Sequence, residues 1–151
     1  MKTFNSIDEI LDFAINSEQN AYNFYIKLAT NSENDAMKDV FLEFAEDEKS
    51  HKKRLEKIKE DRNFEIEDVK VQDLKIAEYT VNVSPSDDMS YQEALLLAMK
   101  REKNAYKLYT DLAAIAPDEK MQRLFKGLAN EEAKHKLRFE LEYDDEVLRE
   151  N

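Results

Sequence analysis

A chain of 151 residues that is 42% hydrophobic has the length and apolar content for one domain with a real core. Its single glycine and two prolines are too few for the tight turns of a sheet protein, and it has no cysteine for disulfides, thiolate metal sites, iron–sulfur centres or cysteine nucleophiles. With 34 acidic against 23 basic residues the net charge is −11, a surface that repels phosphate backbones and anionic lipid and excludes nucleic acid and membrane as expected partners.

The amino-terminal residues Met1 to Ser6 contain no signal-peptide apolar region, and no run approaches the roughly 20 apolar residues of a membrane span. A cytoplasmic protein is expected. The first predicted helix opens on a capping box, Ser6-x-x-Glu9, and runs to about Ala29, where the polar stretch Thr30-Asn31-Ser32-Glu33-Asn34 breaks it. A second helix is expected over 35–61. Residues 62–89 form an irregular linker, too long for a tight turn, in which Val69, Val71, Leu74, Ile76 and Val81 are expected to pin the chain to a helical core. A third helix follows the capping box Ser90-x-x-Glu93. The fourth, over 117–143, starts at Pro117, a residue suited to the first turn because it needs no N–H there. Each helix is about 40 Å long, so a linker of this length can span the height of a bundle and start the second hairpin at the opposite end.

Shifting the chain by 84 residues aligns 6–56 with 90–140 and leaves 19 of 51 positions identical without a gap. Asn20-Ala21-Tyr22 falls on Asn104-Ala105-Tyr106, Tyr25 on Tyr109, Met37 on Met121 and Phe41 on Phe125. Glu48 and His51 fall on Glu132 and His135. The fold class expected is therefore all-α, a four-helix bundle of two repeated helical hairpins (6–61 and 90–143) joined by a long crossover within one domain, 1–151.

Spacings of three and four trace the buried seam of each helix. The four seams read Leu11, Ala14, Glu18, Ala21, Tyr25, Leu28; then Met37, Phe41, Phe44, Glu48, His51, Leu55, Ile58; then Leu95, Ala98, Glu102, Ala105, Tyr109, Leu112; and Met121, Phe125, Leu128, Glu132, His135, Phe139. Four glutamates and the chain's only two histidines interrupt these seams. Burying ionised carboxylates without compensation costs several kcal/mol each, and four together also repel. Two divalent cations balance four carboxylates, and one Glu from each of two helices with Glu-x-x-His from each of the others is a di-iron or di-manganese donor set. Oxygen and imidazole donors suit iron or manganese, and zinc also fits.

Around these donors, Tyr25 and Tyr109 lie two turns beyond the lone glutamates, as core aromatics packing on Phe41 and Phe125 or as hydrogen-bond or redox groups near metal. Tyr22 and Tyr106 flank the seam, as ordinary packing or as shields of the site. Gly127, opposite Glu43 in the repeat, reads as a point of close helix approach. The runs Glu46-Asp47-Glu48-Lys49 and Lys52-Lys53-Arg54 read as solvated faces, Glu48 excepted.

These residues resemble the rubrerythrin-like members of the ferritin-like superfamily. The resemblance is carried by Ser17-Glu18-Gln19-Asn20-Ala21-Tyr22 with Glu48-Lys49-Ser50-His51, and by Arg101-Glu102-Lys103-Asn104-Ala105-Tyr106 with Glu132-Ala133-Lys134-His135. It implies that Glu18 and Glu102 are terminal or bridging ligands, that Glu48 and Glu132 bridge two irons, and that His51 and His135 each complete one. Rubrerythrins usually carry a further glutamate at the position of Ala105. They often carry a rubredoxin-type iron domain held by four cysteines as well, which this chain cannot form. Electrons are then expected from a separate donor protein. The ligand set is equally similar to bacterioferritin ferroxidase centres, but the short fifth helix of storage cages is not expected here. The resemblance also implies a homodimer.

The activity expected is an oxidoreductase that reduces hydrogen peroxide, or dioxygen, to water, with Glu18, Glu48, Glu102, Glu132, Tyr25 and Tyr109 as its working groups. Two alternatives stand beside it: iron handling by Fe(II) oxidation, and a non-catalytic bundle whose metals hold the fold.

Overall fold

The structure, a computed structural model, describes residues 3–62, 64–81, 83, 85–86 and 88–150. About four-fifths of the described residues are helical, with one isolated antiparallel bridge between Thr3 and Lys75. Among them no helix is long and apolar enough to cross a membrane. They form two compact units, Phe4–Asp73 and the chain from Leu74 onward with Thr3.

The first unit is the hairpin of α1 (Ile7–Asn31) and α2 (Asp35–Glu60), followed by the short α3 (Asp68–Gln72), which packs on α1. The Ser6 hydroxyl accepts from the Glu9 N–H at 3.3 Å. The Glu9 carboxylate accepts from the Asn5 N–H at 3.2 Å, one residue further back than a reciprocal capping box requires. At the turn, Ser32 leaves the helix in extended conformation with its N–H donating to Ala29, and the Asn34 side chain caps α2 by accepting from the Met37 N–H. α1 therefore runs two residues past the expected Ala29. Ion pairs Asp12–Lys59 and Asp8–Arg62 join the start of α1 to the end of α2. Exposed pairs of this kind contribute about 0–1 kcal/mol each, so the apolar seam supplies most of the hairpin's stability.

In the second unit, α4 (Tyr91–Ile115) and α5 (Glu119–Glu150) repeat the plan. Ser90 and Glu93 complete a full capping box. Ala116 leaves α4 as Ser32 leaves α1, and the Asp118 carboxylate caps α5 by accepting from the Met121 N–H at 2.8 Å. Pro117 thus stands just before the cap rather than inside the helix. α5 also continues to Glu150, past the expected end at 143. Just before that extension Tyr91 anchors α5, its hydroxyl donating to the buried Glu142.

Of the linker residues expected to pin the crossover, Val71 and Leu74 are buried, Ile76 and Val81 are half-buried, and Val69 is 68% exposed. Phe64, Ile66 and Tyr79 are buried in addition. Tyr79 follows a 3-10 turn (Ile76–Glu78), and its hydroxyl donates to Asp111 on α4 at 2.8 Å. Burial, then the Asp111 hydrogen bond, pushes this phenol's pKa up. Asn104 adds a bond to the Thr80 carbonyl. A polar clamp on α4, as much as apolar packing, fixes this part of the linker.

Gly127 is not a point of close approach. A Cβ built there meets nothing within 4 Å, and its φ is not positive. Glycine in a helix interior costs about 0.5–1 kcal/mol relative to alanine. Gly127→Ala is therefore expected to stabilise the protein by about that amount, read as a rise in urea midpoint at unchanged m-value.

Candidate metal centre

The seams place almost all their residues in the core. Glu18, Glu48, His51, Glu102, Glu132 and His135 are each at most 3% exposed, and among the other seam positions only Leu28 and Ala105 are half-buried. Each hairpin brings one lone glutamate to one Glu-x-x-His pair. In the first, His51 Nδ1 lies 3.5 Å from Glu18 Oε2 and 3.5 Å from Glu48 Oε1. In the second, His135 Nδ1 lies 3.7 Å from Glu102 Oε2 and 3.9 Å from Glu132 Oε1. Within each triad the donor atoms fall inside 4.8 Å of one another.

Two donors about 2.1 Å from a shared ion are at most roughly 4 Å apart, so these histidine–carboxylate separations suit a common cation. The donor chemistry agrees: carboxylate oxygen and imidazole nitrogen match iron, manganese or zinc. Glu102 shows the electrostatic state of such a site without metal. Its carboxyl pKa is pushed up to about 8, first by burial and then by the Glu132 charge, against the opposing pull of His135.

Tyr25 and Tyr109 are buried, at 0% and 1% exposure. The Tyr25 ring meets Phe44 edge-on at 6.4 Å and Phe24 at 5.7 Å. Tyr22 and Tyr106 are not core residues. Tyr106 is 42% exposed and lines an open groove of α4 and α5 with Lys126 and Asn130; Tyr22 is half-buried beside Glu18.

One feature missed in the sequence is the cleft in which Tyr22 stands. It has a volume of about 230 Å³ between α1 and α2, and is lined by Glu18, Gln19, Tyr22, Lys49, Lys52, Lys53 and Glu56. The signal lay in the spacing: 49, 52, 53 and 56 form one stripe of α2 beside the seam.

Residues 9–143 match the rubrerythrin family. Among solved structures, a hypothetical protein from Pyrococcus furiosus is 28% identical with a TM-score of 0.71, over 92% of this chain and 89% of that one. A putative ferritin-like diiron-carboxylate protein from Thermotoga maritima is 23% identical with a TM-score of 0.81, over 97% of this chain and 99% of that one. No curated protein matches the chain. The fold is the ferritin-like four-helix bundle, with α1, α2, α4 and α5 as its long helices and the segment carrying α3 between its two hairpins in the chain.

Proposed function

Because the chain belongs to the rubrerythrin family, we propose that its two triads together bind two iron ions and that the protein reduces hydrogen peroxide to water. The observation that carries the reading is the repetition of a buried Glu plus Glu-x-x-His set, with both copies built to the same pattern. Four carboxylates and two neutral imidazoles balance two divalent ions in charge. Two Fe(II) ions supply two electrons to one O–O bond without releasing a radical, so that H2O2 + 2 H⁺ + 2 e⁻ gives 2 H2O.

Glu18, Glu48, Glu102 and Glu132 would hold the ions through carboxylate oxygens, and His51 and His135 would each hold one through an imidazole nitrogen. Tyr25 and Tyr109, seven residues after the lone glutamates, offer buried phenolic O–H groups for hydrogen bonding or proton transfer. The chain has no cysteine for a second iron site, so the electrons come from a separate donor protein. The reading includes a cytoplasmic homodimer.

Anaerobic loading with Fe(II), followed by hydrogen peroxide or air-saturated buffer, tests this function. Two Fe per chain oxidised much faster by peroxide is the expected result. Rapid oxidation by dioxygen with continued uptake beyond two Fe identifies an iron-handling protein instead. A metal-filled protein inert to both oxidants has structural metals.

A further inference from the structure

We propose that the lysine-lined cleft between α1 and α2 is the port through which a small anion reaches the first triad, and that Lys49, Lys52 and Lys53 bias this port against cations. The inference rests on reading the triads as a di-iron centre and concerns small anions that bind its iron, since the hydrogen peroxide of that reading is uncharged near neutral pH. The cleft is bounded at one point by Glu18, which belongs to the triad, and it is open to solvent where Lys49 and Lys53 stand exposed.

Lysines without an ion pair are common on this surface, so what sets these three apart is their place, all on one cleft that also reaches Glu18. Among the described residues Lys49, Lys52 and Lys53 form no ion pair. Lys52 instead donates to the Gln19 side chain at 2.8 Å, which holds its ammonium across the cleft from α2 to α1. Glu18 is committed to the triad, which leaves Glu56 as the cleft's other carboxylate against three ammonium groups. The local charge is thus opposite in sign to that of the whole protein.

The repeat shows that this basicity is not inherited from the hairpin plan. Shifted by 84 residues, Lys49 becomes Ala133, Lys53 becomes Leu137 and Gln19 becomes Lys103. Lys52 becomes Lys136, which pairs with Glu140 at 2.6 Å, whereas Lys52 and Glu56, one repeat earlier, make no such pair. Only the first hairpin carries the full lysine stripe on its second helix; the second copy keeps Lys136 there and has Lys103 beside Glu102.

Like charges at the mouth of a narrow, partly desolvated cleft raise the local concentration of anions and oppose the approach of cations. Fe(II) ions are therefore poorly suited to this route, and a small anion is well suited to it.

The test uses the full chain loaded with iron and oxidised, titrated with azide, a small linear anion whose binding to Fe(III) is read by absorbance. In Lys49→Glu/Lys53→Glu the azide Kd is expected to weaken at least about five-fold at low salt. The difference should shrink as ionic strength rises and the Debye length falls to a few ångströms. Lys49→Gln/Lys53→Gln should shift it the same way by less. Lys38→Glu/Lys120→Glu carries the same change of net charge. Lys38 lies about 21 Å along α2 from Lys52, and Lys120 about 18 Å along α5 from Glu132. This control should bind azide as the parent does. Fe(II) loading of the Lys49→Glu/Lys53→Glu protein should be at least as fast as that of the parent. Equal azide affinity in the two proteins, each holding two Fe, overturns the port while leaving the di-iron reading intact. A parent protein that takes up no iron overturns both.

Discussion

Replacing Glu132 with glutamine is expected to make the metal-free protein more stable while destroying its iron-dependent activity. The two effects have one cause. Glu132 is buried at 1% exposure, and its charge is the second-largest reason that the Glu102 carboxyl is pushed up to about 8. Removing that charge without changing side-chain volume relieves a buried like-charge contact and the desolvation of one carboxylate, which should raise stability by about 1–3 kcal/mol. On the proposed reading a metal ligand is lost at the same time. Groups that only support a ligand cost about 10–100-fold in affinity or activity, so loss of the ligand itself should exceed about 100-fold. Calorimetry of the metal-free protein at pH 8 and iron titration of the same variant read the two halves. A metal-free Glu132→Gln protein that melts lower than the parent would mean that Glu132 serves chiefly as a structural partner of His135.

The second large effect is a fall in metal-free stability as pH rises. A carboxyl whose pKa is raised from 4.5 to about 8 on folding keeps its proton in the folded chain through a range where the unfolded chain has lost it. Protonated Glu102 therefore adds stability that is fully present below pH 4.5, is lost progressively as pH rises, and is gone above about pH 8. A shift of this size corresponds to several kcal/mol. Urea midpoints of the metal-free protein should decline between about pH 5 and 8, and Glu102→Gln should flatten the decline. With Fe(II) bound the sign inverts. The carboxylates must then be ionised, so loading releases protons, and acidification expels the metal. A midpoint that rises over the same pH range in the metal-free parent would exclude a protonated Glu102.

The buried cluster of glutamates and histidines is readable in the sequence because two independent periodicities agree on it. Helical spacing puts Glu18 and Glu102 on apolar seams, and the 84-residue repeat places a Glu-x-x-His at matching positions. Burial then follows from the seam. The linker is less legible. Its anchor Tyr79 works through a hydrogen bond to Asp111, some thirty residues away in sequence, and no local pattern announces such a partner. Val69, apolar and therefore expected to face inward, meets solvent because a single turn such as α3 buries only one side, here that of Val71. Gly127 shows the converse error: a missing side chain suggests crowding, whereas open space surrounds it. The lysine stripe is hard to single out because a charged run beside a seam is usually only solvated. Its difference lies in the cleft it borders, which pairs α2 with residues of α1 some thirty positions earlier.

The two hairpin turns act as rulers. Glu18 lies fourteen residues before Ser32 and Glu48 fourteen after Asn34, and Glu102 and Glu132 stand in the same relation to Ala116 and Asp118. Each triad is thus set about 21 Å from its turn along both helices. One residue added or removed between ligand and cap swings every later side chain through about 100° and moves it by about 1.5 Å, enough to turn a donor away from its partners. Substitution has altered most aligned positions between the copies, including the turn itself, where Ser32-Glu33 answers to Ala116-Pro117. No insertion or deletion separates them. In this architecture chemical identity is negotiable almost everywhere, but the residue count from turn to ligand is not.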